Sequence, residues 1–448
     1  MRKNEHQQAG FTIVELLIVV VVIAILAAIA IVSYNGIQKR ATESTMKNDL
    51  QGNAVTLGID NTRDGFYPAS SAAANNGQGL KSSGSNTIVY EPRTYGYCMT
   101  VTNPKSGTTY RLKSIVGKVE EGDCQITVST VAGTGGFGYV DGPGTSAQFI
   151  SPAGIEVDTS GLMYVSEATH RIRKITPSAV VSTLAGSGSS GYNDATGTSA
   201  QFYSPLGITT DSAGTIYVAD TYNNRIRKIT PAGAVTTLAG SGTAGFADAT
   251  GTSAQFNRPA DIAVDASGTV YVADGNNYRI RKISPSGVVT TLAGSGTSGY
   301  ADGNGTAAQF SALAGISVDS SGTIYVTDPN NRRIRKVTSN GVVSTLAGSG
   351  ASGNNDGTGT AAQFTTPMGI AVDGFGTVYI ADLGGNVIRA IAPNTVVTTL
   401  AGTGSSGFAD GAAASAQFSL PYQVTVDGST CTLYIADSVN SRIRKIEQ

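Results

Sequence analysis

Three rhythms of apolar and polar residues succeed one another along the chain. Residues 11–32 form an almost unbroken apolar run behind a short hydrophilic leader, 1–10, that carries Arg2 and Lys3. The run's 22 residues span about 33 Å as a helix, enough to cross the hydrocarbon core of a bilayer. From Ser33 to about Asn61 the apolar positions thin to Ile37, Ala41, Met46, Leu50, Ala54 and Leu57, mostly three to five residues apart. That spacing predicts a continuing helix, now amphipathic. Gly36 and Gly52 weaken it by about 1 kcal/mol each against alanine, and Pro68 lies beyond its end. Ser70–Ser85 reads as loop, and 87–90, 95–102 and 109–114 read as strands, with Asn103–Gly107 as a turn.

The third rhythm is periodic. An Ala-Gln-Phe triplet recurs with its ring at Phe149, Phe202, Phe256, Phe310, Phe364 and Phe418, at steps of 53, 54, 54, 54 and 54 residues. Each of the six repeats carries four strand-like runs. In the second they are 207–210, 215–219, 225–229 and 234–239, separated by polar turns. A long Gly/Ser/Thr/Asp loop then leads to the next phenylalanine. Four short strands in each of six units predict a mainly β fold, a six-bladed β-propeller over 126–448. The chain ends on a third strand, 442–446, and the array begins with a lone fourth strand at 125–132. The last blade is therefore predicted to be completed by the first strand, which closes the ring and removes a free sheet edge.

Composition adds an exported, turn-rich character. Only 14% of residues are charged, glycine numbers 57, and the net charge is −1. Nothing there favours nucleic acid or an anionic surface as partner. Three cysteines occur, Cys98, Cys124 and Cys431. In an exported chain Cys98 and Cys124 are the natural pair, closing a loop worth roughly 3 kcal/mol, and Cys431 is then a free thiol in a turn or at a strand start. The spacing lacks paired CxxC, so no metal site is implied.

One carboxylate, Glu15, interrupts the apolar run with nothing in the segment to neutralise it. Its cost in a bilayer is on the order of 3 kcal/mol, so it demands a partner and a function. A cleaved secretory signal would have a shorter core and a small-residue cut site after it. A plain signal anchor would explain the basic leader but not the acid beside a Gly-Phe junction. The pattern Gly10-Phe11-Thr12-Ile13-Val14-Glu15 resembles the class III leader of type IV prepilins. The resemblance implies cleavage after Gly10 by a prepilin peptidase, methylation of Phe11, and pairing of Glu15 with the α-amine of a neighbouring pilin subunit. It also implies a small α+β pilin-like head over 62–125 on the long helix 11–61, commonly with a disulfide near its end.

The wording GIxVD…YVAD…NNRIRKI resembles NHL repeats and covers essentially 126–448. Acids at 141, 194, 248, 302, 356 and 410 occupy one place in the long loops. Each loop offers a single acid, which suits an Asx-type turn better than a calcium loop. Asp220, Asp274, Asp328, Asp382 and Asp437 end the second strand, with arginine five residues later at 225, 279, 333 and 442 and Val387 as the exception. A structural Asp–Arg pair between strands two and three is predicted.

His170 is the one histidine beyond the leader. It cannot build a typical zinc site, and GxSxG, HExxH and phosphate-loop motifs are absent from the sequence. No enzyme and no cofactor are expected. The candidate ligand face lies where repeats depart from their consensus. It comprises Tyr203, Asn257, Arg258 and Leu420 after the phenylalanine, Met368 and Tyr422 before the inner strand, and His170, Tyr222, Tyr278 and Arg332 in the second-to-third-strand turns. The reading is a minor or tip type IV pilin-like subunit, membrane-anchored as precursor and then at the cell surface. Its extracellular propeller binds a protein or glycan. The alternatives are a surface-tethered propeller lyase or hydrolase, or a pseudopilin of a secretion or DNA-uptake system.

Overall fold

The computed structural model describes residues 38–54, 80–83, 85–93, 96–104, 106, 108–113, 119–121 and 125–447. Gly10, Phe11, Glu15, the predicted membrane span 11–32 and the Cys98–Cys124 pairing, through Cys124, lie outside the described residues. Among the described residues no helix is long and apolar enough to cross a membrane. The chain divides into two compact units, 1–124 and 125–448.

In the first unit residues 38–54 are helical. Met46 and Leu50, one turn apart, share a face and are fully buried against Met99, Val101 and Tyr110 of the sheet. Ala41 is exposed, so the buried face is narrower than its periodicity suggested. Polar side chains on the next stripe tie the helix down. Asp49 accepts from the Ser83 amide at 3.0 Å, the Ser83 hydroxyl at 2.6 Å and Asn86 Nδ2 at 3.1 Å. Asn53 exchanges two hydrogen bonds with the Lys81 backbone. The sheet is an antiparallel meander of Thr87–Arg93, Gly96–Thr102, Thr109–Lys113 and Val119–Glu121. Its last strand has no counterpart in the sequence reading.

The second unit consists of six antiparallel sheets, one per repeat. In repeat 2 the strands run, from inside out, Pro205–Thr210, Ile216–Asp220, Arg225–Ile229 and Val235–Ala239. The second strand is buried along its whole length, as a strand sandwiched between two neighbouring sheets must be. Innermost strands touch their neighbours in a closed cycle, with Pro421–Val426 of repeat 6 against Pro152–Val157 of repeat 1. Thr127–Ala132 supplies the fourth strand of the last sheet, pairing with Arg442–Glu447 in the register Ile446↔Val128 and Arg444↔Thr130.

The triplet phenylalanines wedge between sheets. Phe256 packs on Ile226 and Ala239 of repeat 2 and on Ile262 and Val272 of its own repeat, a burial worth about 1.5–3 kcal/mol per ring. The Gly-Ser-Gly or Gly-Thr-Gly that follows each fourth strand is also shaped by geometry. Gly242 has φ +91°, and a Cβ there would collide with the Arg225 guanidinium.

Candidate functional site

Most of the charge repeated through the array has a structural task. Arg227 is fully buried and bridges two acids, Nη1 to Asp220 Oδ2 at 2.6 Å and Nη2 to Asp194 Oδ1 at 2.6 Å. It also donates to the Gln201 and Asn193 carbonyls. Repeats 3, 4 and 6 repeat this clamp with Arg281, Arg335 and Arg444. Repeat 1 substitutes Glu167 for the aspartate, and repeat 5 keeps the Arg389–Asp356 half. Burial pushes the Asp220 and Asp274 carboxyls up, and the guanidiniums beside them push back.

Two expectations are corrected by this arrangement. The partner of the strand-end acid lies seven residues on, not five. The loop acids 141, 194, 248, 302, 356 and 410 all pair with the buried arginine of their repeat, and the Asx turn is made elsewhere. Asp211 accepts from the amides of Ala213 and Thr215, two and four residues on. The arginine five residues on reaches outward, where Arg225 donates to the Ser241 carbonyl at 2.8 Å and lies 3.8 Å over the Tyr192 ring.

Departures from consensus are therefore the candidates for function, and four of them converge. His170 meets Tyr203 edge-on at 5.7 Å, Tyr203 stacks on Tyr222 at 5.1 Å, and the Arg258 guanidinium sits 4.7 Å over Tyr222. These side chains come from repeats 1, 2 and 3. Tyr203 and Tyr222 remain 41% and 45% exposed. Met368 and Tyr422 line the adjoining mouth of the central channel with Leu206. The Tyr422 hydroxyl is pushed up to about 12, first by burial and then by Asp261 and Tyr222.

Tyr278 and Arg332 occupy equivalent left-handed corners, φ 52° and 51°, and make no ring contact with this stack among the described residues. In repeats 1, 2 and 5 the side chain at that corner links adjacent repeats. Asn224 Oδ1 accepts the Arg258 amide at 3.0 Å, and His170 Nδ1 accepts the Ser204 amide at 2.9 Å. His170 is thus a neutral stand-in for asparagine, its pKa lowered by burial and by Arg171.

The channel itself escaped the sequence reading. At one repeat position, the third of the inner strand or in repeat 4 the residue just before it, four repeats carry glycine, at 154, 207, 315 and 369, but repeats 3 and 6 carry Asp261 and Gln423. These repeats face each other across the ring, and Gln423 Nε2 donates to Asp261 Oδ2 at 3.0 Å, spanning the channel. The Ile316 amide adds a second bond to the same oxygen at 2.9 Å. Beyond this bar lies a cavity of about 150 Å³ lined by Glu156, Thr209, Ser317 and Thr425 among others. The Thr425 hydroxyl donates to Glu156 at 2.9 Å. Burial raises Glu156 to about 8, against the Thr425 hydrogen bond, and raises Asp261 to about 7, against its backbone and Gln423 donors. The signal was present as two glycine replacements at one repeat position.

The family profile described as the prokaryotic N-terminal methylation motif matches residues 6–31, and the NHL repeat profile matches 202–229 and 256–283. SUPPRESSOR OF QUENCHING 1, chloroplastic, of Arabidopsis thaliana is 29% identical over 320 residues, covering 66% of this chain and 30% of that protein. Human NHL repeat-containing protein 2 is 28% identical over 342 residues, covering 66% and 46%. The chain thus spans about a third to a half of these relatives' length. An auxiliary nutrient binding protein from Bacteroides ovatus superposes with a TM-score of 0.57 at 16% identity, over 80% of this chain and 88% of that one. A Bacteroides thetaiotaomicron protein of unknown function gives 0.56 at 19%, over 82% and 99%. These neighbours are β-propellers, and the likeness speaks for the fold alone.

Proposed function

We propose that the chain is a type IV pilin-like subunit, at a minor or tip position, that displays a six-bladed NHL propeller outside the cell to bind a protein or glycan. The observation that carries this reading is the methylation motif at 6–31 in one chain with the ring of sheets. A prepilin peptidase cuts between Gly10 and Phe11. The helix 11–61, membrane-spanning over 11–32, then packs among other pilin subunits, with Glu15 paired to a neighbour's α-amine. An ammonium and a carboxylate buried together cost far less than either alone. The 62–125 head is closed by the Cys98–Cys124 bridge. A propeller of this length has a radius of gyration of about 20 Å, bulk that would crowd a filament if every subunit carried it, which favours a minor or tip position. The aromatic stack beside the channel mouth supports binding, since exposed tyrosine and arginine are the usual anchors of recognition.

Mass spectrometry of filaments sheared from cells tests the reading. A methylated Phe11 N-terminus at low ratio to other pilins is the expected result. An intact Met1, or absence from filaments, overturns it. A second reading, a tethered lyase or hydrolase, draws on the two carboxyls of raised pKa in the channel. Turnover of a substrate that E156Q abolishes would establish it. Loss of transformation or secretion on deletion, with attachment intact, would instead indicate a pseudopilin.

A further inference from the structure

We propose that Tyr203, Tyr222 and Arg258 form a subsite for an acidic sugar, with the ring against the tyrosines and its carboxylate on the guanidinium. The inference rests on the binding role assigned above to the loop face, and it names the ligand class. Each of the three residues is unique among the repeats. The position of Tyr203 holds Ile150, Asn257, Ser311, Thr365 or Ser419 elsewhere, and that of Arg258 holds Ser151, Ser204, Ala312, Thr366 or Leu420. Repeats 3 to 6 place Asn276, Asn330, Gly384 and Val439 where repeat 2 has Tyr222. Three independent departures meeting within stacking distance are not drift of loop residues.

The chemistry of the patch narrows its occupant. The stack and Arg258 cover part of the two tyrosine rings, yet each stays more than 40% exposed and offers apolar surface edged by a hydroxyl, which suits a ring that is apolar on one side and hydroxylated at its rim. Arg258 is exposed and makes no ion pair among the described residues. The strand-end acids of repeats 2 and 3, Asp220 and Asp274, are buried and already held by Arg227 and Arg281. A carboxylate arriving from outside therefore meets an uncommitted guanidinium whose fork matches it. Two rings and one guanidinium are far smaller than the roughly 800 Å² a stable protein interface takes from each partner, so the patch fits one or two sugar units.

The test is calorimetry on the full-length protein in detergent, with tri-galacturonate and a hyaluronan hexasaccharide as probes, each against its carboxyl-reduced form. At least one acidic probe is expected to bind ten-fold or more tighter than its reduced partner. R258Q is expected to bring the two to parity, and the Y203A/Y222A double variant to lose both. Equal binding of acidic and reduced forms, or indifference to R258Q, overturns the proposal. So does failure to bind any probe while cell attachment persists and is lost in Y203A/Y222A, although the loop-face reading then survives. Attachment unchanged by deletion of the propeller overturns both.

Discussion

The least replaceable side chain of each repeat is the arginine at the third position of its third strand. Arg281 is fully buried between Asp274 at 2.9 Å and Asp248 at 2.6 Å, so R281M would strand a buried carboxylate. A loss of about 3–5 kcal/mol is expected in denaturant unfolding of the propeller. R279M, which removes a half-exposed stack over Phe246 and two carbonyl bonds, to Ser295 and Asn277, should cost about 1–2 kcal/mol. The Asp–Arg pairing was legible in the spacing, but its partner was not. Residues 225 and 227 point to the same face of their strand, and the register even sets Asp220 opposite Arg225. Only the burial of Arg227 between sheets and the outward pull of Tyr192 on Arg225 decide the choice. Glu156 makes a different prediction at the same scale. Its pKa rises from an ordinary 4.5 to about 8 in the fold, so between those values the folded chain holds a proton the unfolded chain has released. That contribution is fully present below about 4.5 and is lost as pH climbs through about 8. Thermal unfolding at pH 5, 7 and 9 should show wild type losing stability relative to E156Q, by a few kcal/mol at most. A constant difference between the two would refute it.

Among the repeating elements, the fifth is informative because it lacks two residues together. Elsewhere an aromatic at the tip of the long loop stacks on the first arginine of the third strand, as in Tyr139–Arg171 at 4.0 Å, Tyr300–Arg333 at 4.0 Å and Phe408–Arg442 at 3.8 Å. Repeat 5 has Asn354 and the buried Val387 in those places. The two absences belong together, because each residue is the other's nearer stacking partner, the buried arginine lying about 1 Å farther from the ring, as in Tyr300–Arg335 at 5.0 Å. In a double-mutant cycle of N354Y and V387R the coupling should favour the double variant by about 0.5–1 kcal/mol, even though V387R alone destabilises by burying a charge. Additive effects would show that the stack contributes nothing. The strands and the triplet phenylalanines were legible because each repeat states them again, six times over. The Asp261–Gln423 bar was not, since both residues read as lone replacements of glycine until the ring sets repeat 3 opposite repeat 6.

For the whole molecule the decisive joint is the one where its beginning and end meet. The fourth strand of the last sheet comes from residues more than 300 positions earlier in the chain, so no local signal holds it there. Long-range contacts do so: the register with Arg442–Glu447, the pairing of Thr127 and Val128 with Gly411–Ala412, the bond from the Thr130 hydroxyl to Asp410 at 2.9 Å and the burial of Val128. Val128 occupies the place of Val181, Val235, Val289, Val343 and Val397 in the other fourth strands, and all six are at most 2% exposed. If closure makes the ring mechanically uniform, V128A and V235A should each cost about 2–3 kcal/mol and agree within about 0.5 kcal/mol. Amide exchange at 127–132 should then proceed with that of 442–447 as one cooperative unit. A V128A penalty well below that of V235A, or early exchange of 127–132, would mean that the ring opens at this joint. Strain arriving through residues 1–124 would then unzip the last sheet first. Equal penalties would mean instead that such a load is carried by the whole ring, as the filament display proposed above would require.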